Sequence, residues 1–204
     1  MHVGEEITLF ESGSIMVYLA EKFDMFMPTN ARERQECFNW LFWQMAGQGP
    51  MTGNYGHFMV YAPADKGETR DYGVARYGME VQRLLDVLDQ HLEGREYMVG
   101  DAYTIADMAC FPWVQTLRGK VPPRCHLLSS LLRAPPHLIG LIAGGTSHQG
   151  YDREGQPRTT DFLGVEKYAN VNRWADAIME RPATFRVRLP GPLLGLAFGL
   201  SFFG

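Results

Sequence analysis

One stretch of the chain constrains its fold more than any other, because residues 69–92 carry apolar side chains at the spacing of a long helix. These side chains recur every three or four positions, which places them on one face of a helix. They are Val74, Tyr77, Val81, Leu84, Leu85, Leu88 and Leu92. Gly94 lies two residues after Leu92 and is a typical helix stop. The stretch is therefore predicted to be a long amphipathic helix.

Two earlier segments also show helical periodicity. Residues 11–23 follow the strand-like sequence ITLF at 7–10, so we expect the end of a strand and then a helix. Residues 32–47 begin with charged side chains and then place Phe38 and Leu41 on one side, as an amphipathic helix should.

Two later segments are predicted to be helices with recognisable ends. Thr104 and Asp107 have the spacing of a capping box, with Asp in place of the usual Glu or Gln, and apolar residues follow. They are expected to open a buried helix that contains Cys110 as an inert core thiol. Residues 165–181 form the last predicted helix, which Pro182 should end.

Three segments lack a clear period. Residues 48–66 are rich in Gly, Pro, Asn, Tyr and His and are predicted to be an ordered aromatic loop that could line a site. Residues 119–149 contain paired prolines twice and form an atypical insert, either disordered or foreign to the fold. Residues 189–204 form an atypical apolar tail, which is too short and too broken by Pro and Gly to span a bilayer.

Composition excludes several classes of partner. The formal net charge of -4 provides no field that would attract phosphates, so neither nucleic acid nor an anionic membrane is expected as a partner. The three cysteines show no CxxC or Cys/His spacing, so we expect no metal site and no disulfide framework. The acidic N-terminal sequence does not resemble an export signal. A cytoplasmic location follows as the expectation.

Several segments resemble, in the same order, the nu-class glutathione transferases, which are also called disulfide-bond oxidoreductases. The resemblance covers most of residues 5–117 and resumes after residue 149. The segments are LFESGSIMVYLAEKF, WLFWQMAGQGPMTGNYGHFMVYAP, RYGMEVQRLLDVLDQHL, TIADMACFPWV and GYDREGQPRTTDFLGVEKYANVNRWADAIMERPA.

The resemblance implies a mainly α fold: the all-helical C-terminal domain of a glutathione transferase, preceded by a remnant of a thioredoxin-like α/β domain. The remnant would comprise residues 1–28, as a strand end plus a helix, and the helical domain residues 29–188, with the insert 119–149 inside it. One hypothesis is that the insert is translated intron or an equivalent gene-model artefact and that the same holds for the tail 189–204; a missing upstream exon would likewise explain the absent thioredoxin-like part. The alternative for the insert is a genuine lineage-specific loop.

The resemblance also implies a glutathione site. Glu11 and Ser12 match the family's clamp on the γ-glutamyl end of glutathione, although the residues alone would favour a ligand-free helix cap. Arg76 matches an arginine that reaches glutathione from the long helix, although a solvated arginine is the simpler interpretation. Tyr55, His57 and Tyr61 would form a wall of the site. Thr104 and Asp107 match a structural capping motif, and no catalytic residue is assigned because the sulfur-activating region is absent.

The expected function is that of a glutathione transferase or glutathione-dependent thiol-disulfide oxidoreductase, acting as a homodimer. Glutathione would be its thiol, and a small disulfide, a peroxide or an electrophile its second substrate. One alternative is a non-catalytic helical module for dimerisation or protein interaction. A second alternative is a truncated product without function.

Overall fold

The computed structural model describes residues 7–63, 66–119 and 162–187, and within these ranges the regular structure is helical. The mainly α fold class is thus confirmed. The α-helices are α1 (Ser12–Phe23), α2 (Ala31–Trp43), α3 (Gly49–Gly56), α4 (Gly67–His91), α5 (Ile105–Leu117), α6 (Ala169–Glu180) and α7 (Pro182–Val187).

Helices α2 and α3 belong to one continuous helical run that begins at an N-cap. The Asn30 side chain accepts a 2.9 Å hydrogen bond from the Glu33 backbone N–H, which starts α2. A π-helical turn, Gln44–Gln48, joins α2 to α3, and a second one, His57–Tyr61, follows α3. The predicted loop at 48–66 is therefore wrong for most of its length, because residues 48–61 are helical. Pro50 lies inside this continuous run, two residues after the first π-helical turn.

Helix α4 is the centre of the packing, as its apolar stripe predicts. It contacts α3 on one side and α6 on the other. Gly73 and Gly78 allow the aromatic rings of Phe58 and Phe162 to approach its backbone closely. The helix ends just before Gly94, whose φ of 70° lies in the left-handed region that glycine adopts without strain.

Helix α5 begins with a capping box. Thr104 is the N-cap, and its backbone N–H donates to the Asp107 carboxylate at 2.9 Å. Pro112 lies inside the helix, where its ring removes one backbone donor. Helix α5 packs against α2, α3 and α6 and also contacts α1.

The C-terminal helices of the described region complete the core. A 3₁₀ turn, Val165–Lys167, precedes α6, whose buried residues are Val171, Trp174, Ala175 and Ile178. Pro182 ends α6 as predicted, but it also opens the short α7.

Two further predictions concern residues at or beyond the ends of the described ranges. Residues 7–10 lie in no strand, because the part of the chain that the structure describes contains no strand for them to pair with. Nearly all of the insert 119–149 and the whole tail 189–204 lie outside the described residues. None of the helices described is both long enough and apolar enough to cross a membrane.

Candidate functional site

The N-terminus of α1 presents backbone donors that no side chain among the described residues caps. Glu11 precedes the helix with φ 65° and ψ 122°, a backbone conformation that is costly for a residue with a Cβ. No described side chain makes a cap hydrogen bond there, and the first helical bond runs from the Ile15 N–H to the Glu11 carbonyl. The N–H groups of Ser12, Gly13 and Ser14 therefore have no partner within the helix, which suits an anionic group.

Two clefts flank this helix end. The first, here called the methionine cleft, has a volume of about 650 Å³ and is lined by residues that include Ser12, Met16, Gln44, Met45, Met108 and Trp113. The second, here called the phenylalanine groove, has a volume of about 600 Å³ and is lined by residues that include Leu9, Glu11, Val17, Phe38 and Phe42. Glu11 and Ser12 thus lie side by side but line different clefts.

Arg76 does not share either cleft with Glu11 or Ser12. It is exposed on α4, and it lines neither the methionine cleft nor the phenylalanine groove. The structure therefore brings Glu11 and Ser12 together but does not add Arg76 to the walls of either cleft.

The aromatic residues expected as a site wall do not line these clefts either. Tyr55 is fully buried, and its ring lies 6.0 Å from that of Phe162. Tyr55 is thus a core residue, which corrects its assignment to a wall. His57 is exposed and Tyr61 is 53% exposed, both in the second π-helical turn, and neither lines a described cleft.

The described cysteines are poor nucleophiles. Cys37 and Cys110 are buried, and burial raises the pKa of both thiols. A raised pKa disfavours the thiolate, which is the reactive form. The described residues contain no group of three or more His, Cys, Asp or Glu side chains placed to hold a metal ion.

Asp107 does more than cap α5. One carboxylate oxygen accepts hydrogen bonds from the Met98 backbone N–H at 2.9 Å and from Trp174 Nε1 at 2.8 Å. Burial raises the pKa of Asp107, while these hydrogen bonds act in the opposite direction. The carboxylate thereby joins the start of α5 to the preceding loop and to α6.

Sequence reasoning missed a polar residue of the methionine cleft. Gln44 is only 4% exposed, and its Oε1 atom has no hydrogen-bond partner among the described residues. The one available signal was a Gln on the apolar side of a helical segment, next to Met45. Such a signal does not distinguish a buried amide from an exposed one.

Comparisons with known proteins place these features in a family. The family model for the glutathione S-transferase C-terminal domain matches residues 71–177. The chain is 39% identical to the disulfide-bond oxidoreductase YghU of Escherichia coli over 183 residues. These residues make up 90% of this chain and 50% of that protein. Over 111 residues it is 48% identical to the disulfide-bond oxidoreductase YfcG of the same organism, covering 54% of this chain and 50% of that protein.

Solved structures agree. A glutathione transferase from Burkholderia graminis, crystallised with two glutathione molecules per subunit, superposes with a TM-score of 0.69 at 33% identity. The match covers 94% of this chain and 65% of that one. The glutathione complex of the transferase YghU from Streptococcus pneumoniae gives a TM-score of 0.68 at 33% identity, over 93% of this chain and 58% of that one.

The chain spans about half the length of the curated relatives that it matches. The matched family region extends from α4 through α5 to α6, which are the helices that build the core. The chain therefore belongs to the glutathione S-transferase superfamily through its C-terminal domain, with nu-class disulfide-bond oxidoreductases among its relatives.

Proposed function

We propose that this chain contributes the helical domain and part of the glutathione site of a glutathione-dependent thiol-disulfide oxidoreductase or transferase. The observation that carries the proposal is the uncapped start of α1, where Glu11 holds a strained backbone conformation next to Ser12. Local strain of this kind persists where surrounding structure maintains it, and it is concentrated at ligand sites.

The chemistry of this helix end fits the γ-glutamyl group of glutathione. The ligand carboxylate would accept hydrogen bonds from Ser12 and from the open N–H groups of the first turn. The ligand ammonium would pair with the Glu11 carboxylate, which is exposed and therefore accessible. The ligand carboxylate would thus meet hydrogen-bond donors, and the ligand ammonium would meet a carboxylate of opposite charge.

The reaction would belong to glutathione rather than to a protein thiol. Thiolate is the reactive form of sulfur, and burial disfavours the thiolate of both Cys37 and Cys110. A small disulfide, a peroxide or an electrophile would be the second substrate. The described residues supply binding and shape, and none of them is assigned the activation of the glutathione sulfur.

Titration calorimetry with glutathione tests the proposal. We expect binding to the purified chain, and we expect Ser12→Ala to weaken it because the substitution removes one donor at the helix end. Arg76→Ala tests the resemblance-based role of the arginine on α4. Arg83→Ala is the matched control, because Arg83 lies on the same helix seven residues further on and pairs with Glu80.

The outcomes separate the parts of this proposal. Absence of any binding heat would contradict a glutathione site in this chain. Equal binding by the Ser12→Ala variant would remove the helix end from the site. If Arg76→Ala and Arg83→Ala behave alike, Arg76 plays no part in binding.

A homodimer is the second part of the proposal, and a surface feature favours it. Phe42 is 64% exposed beside the phenylalanine groove, and its ring stacks on that of Phe38 at 6.3 Å. Exposed apolar surface of this kind often forms subunit contacts. Analytical ultracentrifugation should show a dimer that Phe42→Glu dissociates, and a monomer at all concentrations would contradict this part. A dimer that binds no glutathione would favour the non-catalytic module instead.

A further inference from the structure

Met45 is the residue that the walls of the two clefts share. It is half-buried near the start of the first π-helical turn and lines both the methionine cleft and the phenylalanine groove. Among the described residues, no other lines both. A small solute that enters either cleft therefore reaches this side chain, whereas Met59 and Met98 are buried in the core.

The Met45 side chain packs directly against the first turn of α1. The Ser12 hydroxyl donates toward its sulfur, with 3.9 Å between Ser12 Oγ and Met45 Sδ. Gly13 makes this packing possible, because a Cβ there would meet Met45 Cε at 3.1 Å and Sδ at 3.4 Å. The sulfur thus lies beside the helix end whose donors no described side chain caps.

The thioether of methionine can be oxidised by peroxides to a sulfoxide, which is polar and which reductases convert back. In this reaction a sulfur lone pair attacks one peroxide oxygen, and the O–O bond breaks as the S–O bond forms. The sulfur loses two electrons to the peroxide. The second peroxide oxygen leaves as water, with the proton of the transferred hydroxyl.

The geometry at Ser12 favours a hydrogen bond to the oxidised side chain. A thioether sulfur is a weak acceptor, so the Ser12 hydroxyl is only loosely held in the reduced protein. The distance of 3.9 Å between Oγ and Sδ exceeds the separation of about 2.8 Å between two hydrogen-bonded oxygens. An oxygen added to the sulfur on the side of Ser12 therefore shortens the contact to a full hydrogen bond.

We propose that Met45 is a site of reversible oxidation by hydroperoxides and that its sulfoxide oxygen accepts a hydrogen bond from the Ser12 hydroxyl. The effect on ligand binding rests on the proposed glutathione site: the Ser12 hydroxyl is then unavailable to the glutathione carboxylate, and the affinity falls. Peroxide would thus weaken thiol binding, and a methionine sulfoxide reductase would restore it.

Peptide mass spectrometry after peroxide treatment of the folded chain tests the oxidation itself. Met45 should gain one oxygen faster than the fully buried Met98 and more slowly than Met79, which is 64% exposed on α4. This measurement does not depend on glutathione. Oxidation of Met45 no faster than that of Met98 would overturn the proposal.

Titration calorimetry with glutathione, after removal of the peroxide, tests the consequence. The affinity of the oxidised chain should fall roughly three- to tenfold, the factor that one net hydrogen bond supplies, and methionine sulfoxide reductases with dithiothreitol should restore it. Met45→Leu keeps the volume but has no sulfur, so this variant should bind equally before and after peroxide. Met79→Leu is the matched control and should lose affinity as the unaltered chain does.

Two outcomes of this titration would overturn the proposal. One is an unchanged glutathione affinity in a chain whose Met45 is fully oxidised. The other is an equal loss of affinity in Met45→Leu and in the unaltered chain, which would assign the effect to another oxidised residue. Circular dichroism melting identifies a variant that does not fold, and the unaltered chain compared before and after peroxide needs no variant.

NMR separates a failure of this proposal from a failure of the glutathione site. The proton resonances of Ser12 should shift when Met45 is oxidised, without any glutathione, and they should not shift in peroxide-treated Met45→Leu. If the shift appears in a chain that binds no glutathione, the glutathione site fails and the oxidation site stands. Oxidised Met45 without a shift at Ser12 would overturn the proposal.

Discussion

Helices α1 and α6 each contain twelve residues, but they are attached to the molecule in different ways. Helix α6 buries Val171, Trp174, Ala175 and Ile178, whereas α1 buries Gly13 and Ala20. Two large side chains of α1 stay exposed, Leu19 at 43% and Phe23 at 61%. Most helical stability in proteins comes from packing, so α6 should depend on the core and α1 should contribute little to it.

The two helices also differ at their N-termini. The Asp89 side chain from α4 accepts a 2.9 Å hydrogen bond from the Val171 N–H and so caps the first turn of α6. No described side chain does the same for α1. Helix α6 is thus capped and packed for stability, whereas the N-terminal donors of α1 receive no cap from a described side chain. Substitutions in and around the two helices test this difference.

The largest expected effect is that of Trp174→Ala. The substitution should lower the free energy of unfolding by about 3–5 kcal/mol, because it removes a fully buried indole and one donor to Asp107. Urea unfolding followed by circular dichroism measures the loss. Trp174→Phe is the control, since it keeps most of the volume and should lose less. A loss under about 1 kcal/mol for Trp174→Ala would contradict the assigned role of α6.

A smaller effect is expected from Asp89→Ala. Removing the cap of α6 should cost about 1 kcal/mol, because the Val171 N–H loses its side-chain acceptor. The same unfolding experiment applies. Asp71→Ala is a suitable control, since Asp71 is exposed near the start of the same helix, whereas Asp89 lies near its end. Equal losses in the two variants would show that the cap contributes nothing of its own.

His91, on α4, is a partly buried group through which low pH should lower the stability of the fold. His91 Nε2 lies 2.7 Å from the Met98 carbonyl oxygen, and burial lowers the pKa of the imidazole below its ordinary 6.5. The unfolded chain therefore binds the proton more readily, so stability should fall as pH decreases below 6.5. Thermal melts at several pH values should show this slope, and it should be shallower in His91→Gln, which keeps a donor for Met98. An unchanged slope would assign the acid sensitivity to other groups.

The smallest expected effect is that of Leu19→Ala in α1. Because Leu19 is 43% exposed, the free energy of unfolding should change by no more than about 0.5 kcal/mol. Urea unfolding at two protein concentrations measures it. A loss that grows with protein concentration would show that a second copy of the chain covers α1. Helix α1 would then be exposed only in the monomer and packed in the dimer.

The sequence predicted the helices whose apolar spacing is regular. The stripe from Val74 to Leu92 became α4, and the spacing of Thr104 and Asp107 became the start of α5. Residues 49–61 were misjudged because Gly and Pro favour turns locally, whereas here the segment packs against α4 and α5. Packing between distant segments outweighed the local preference.

The site was predictable only where neighbours in sequence are also neighbours in space. Glu11 and Ser12 are adjacent, and the start of α1 could be inferred from them. The bond from Trp174 to Asp107 joins residues 67 positions apart, a pairing that no local spacing encodes. Tyr55 was assigned to the site because it is an aromatic residue in a Gly-rich stretch. In the structure it is fully buried.

The π-helical turn Gln44–Gln48 holds one extra residue within an otherwise continuous helical run. A π turn accommodates about one more residue than an α turn over a similar rotation, so it leaves the direction of the following helix almost unchanged. Deleting one residue there would restore a plain α-helix and would leave Gly49, Gly53 and Tyr55 pointing in about their present directions. Deleting one residue within α3 would instead rotate every later residue of that helix by about 100°. A single-residue deletion should therefore be tolerated in the π turn and not in α3.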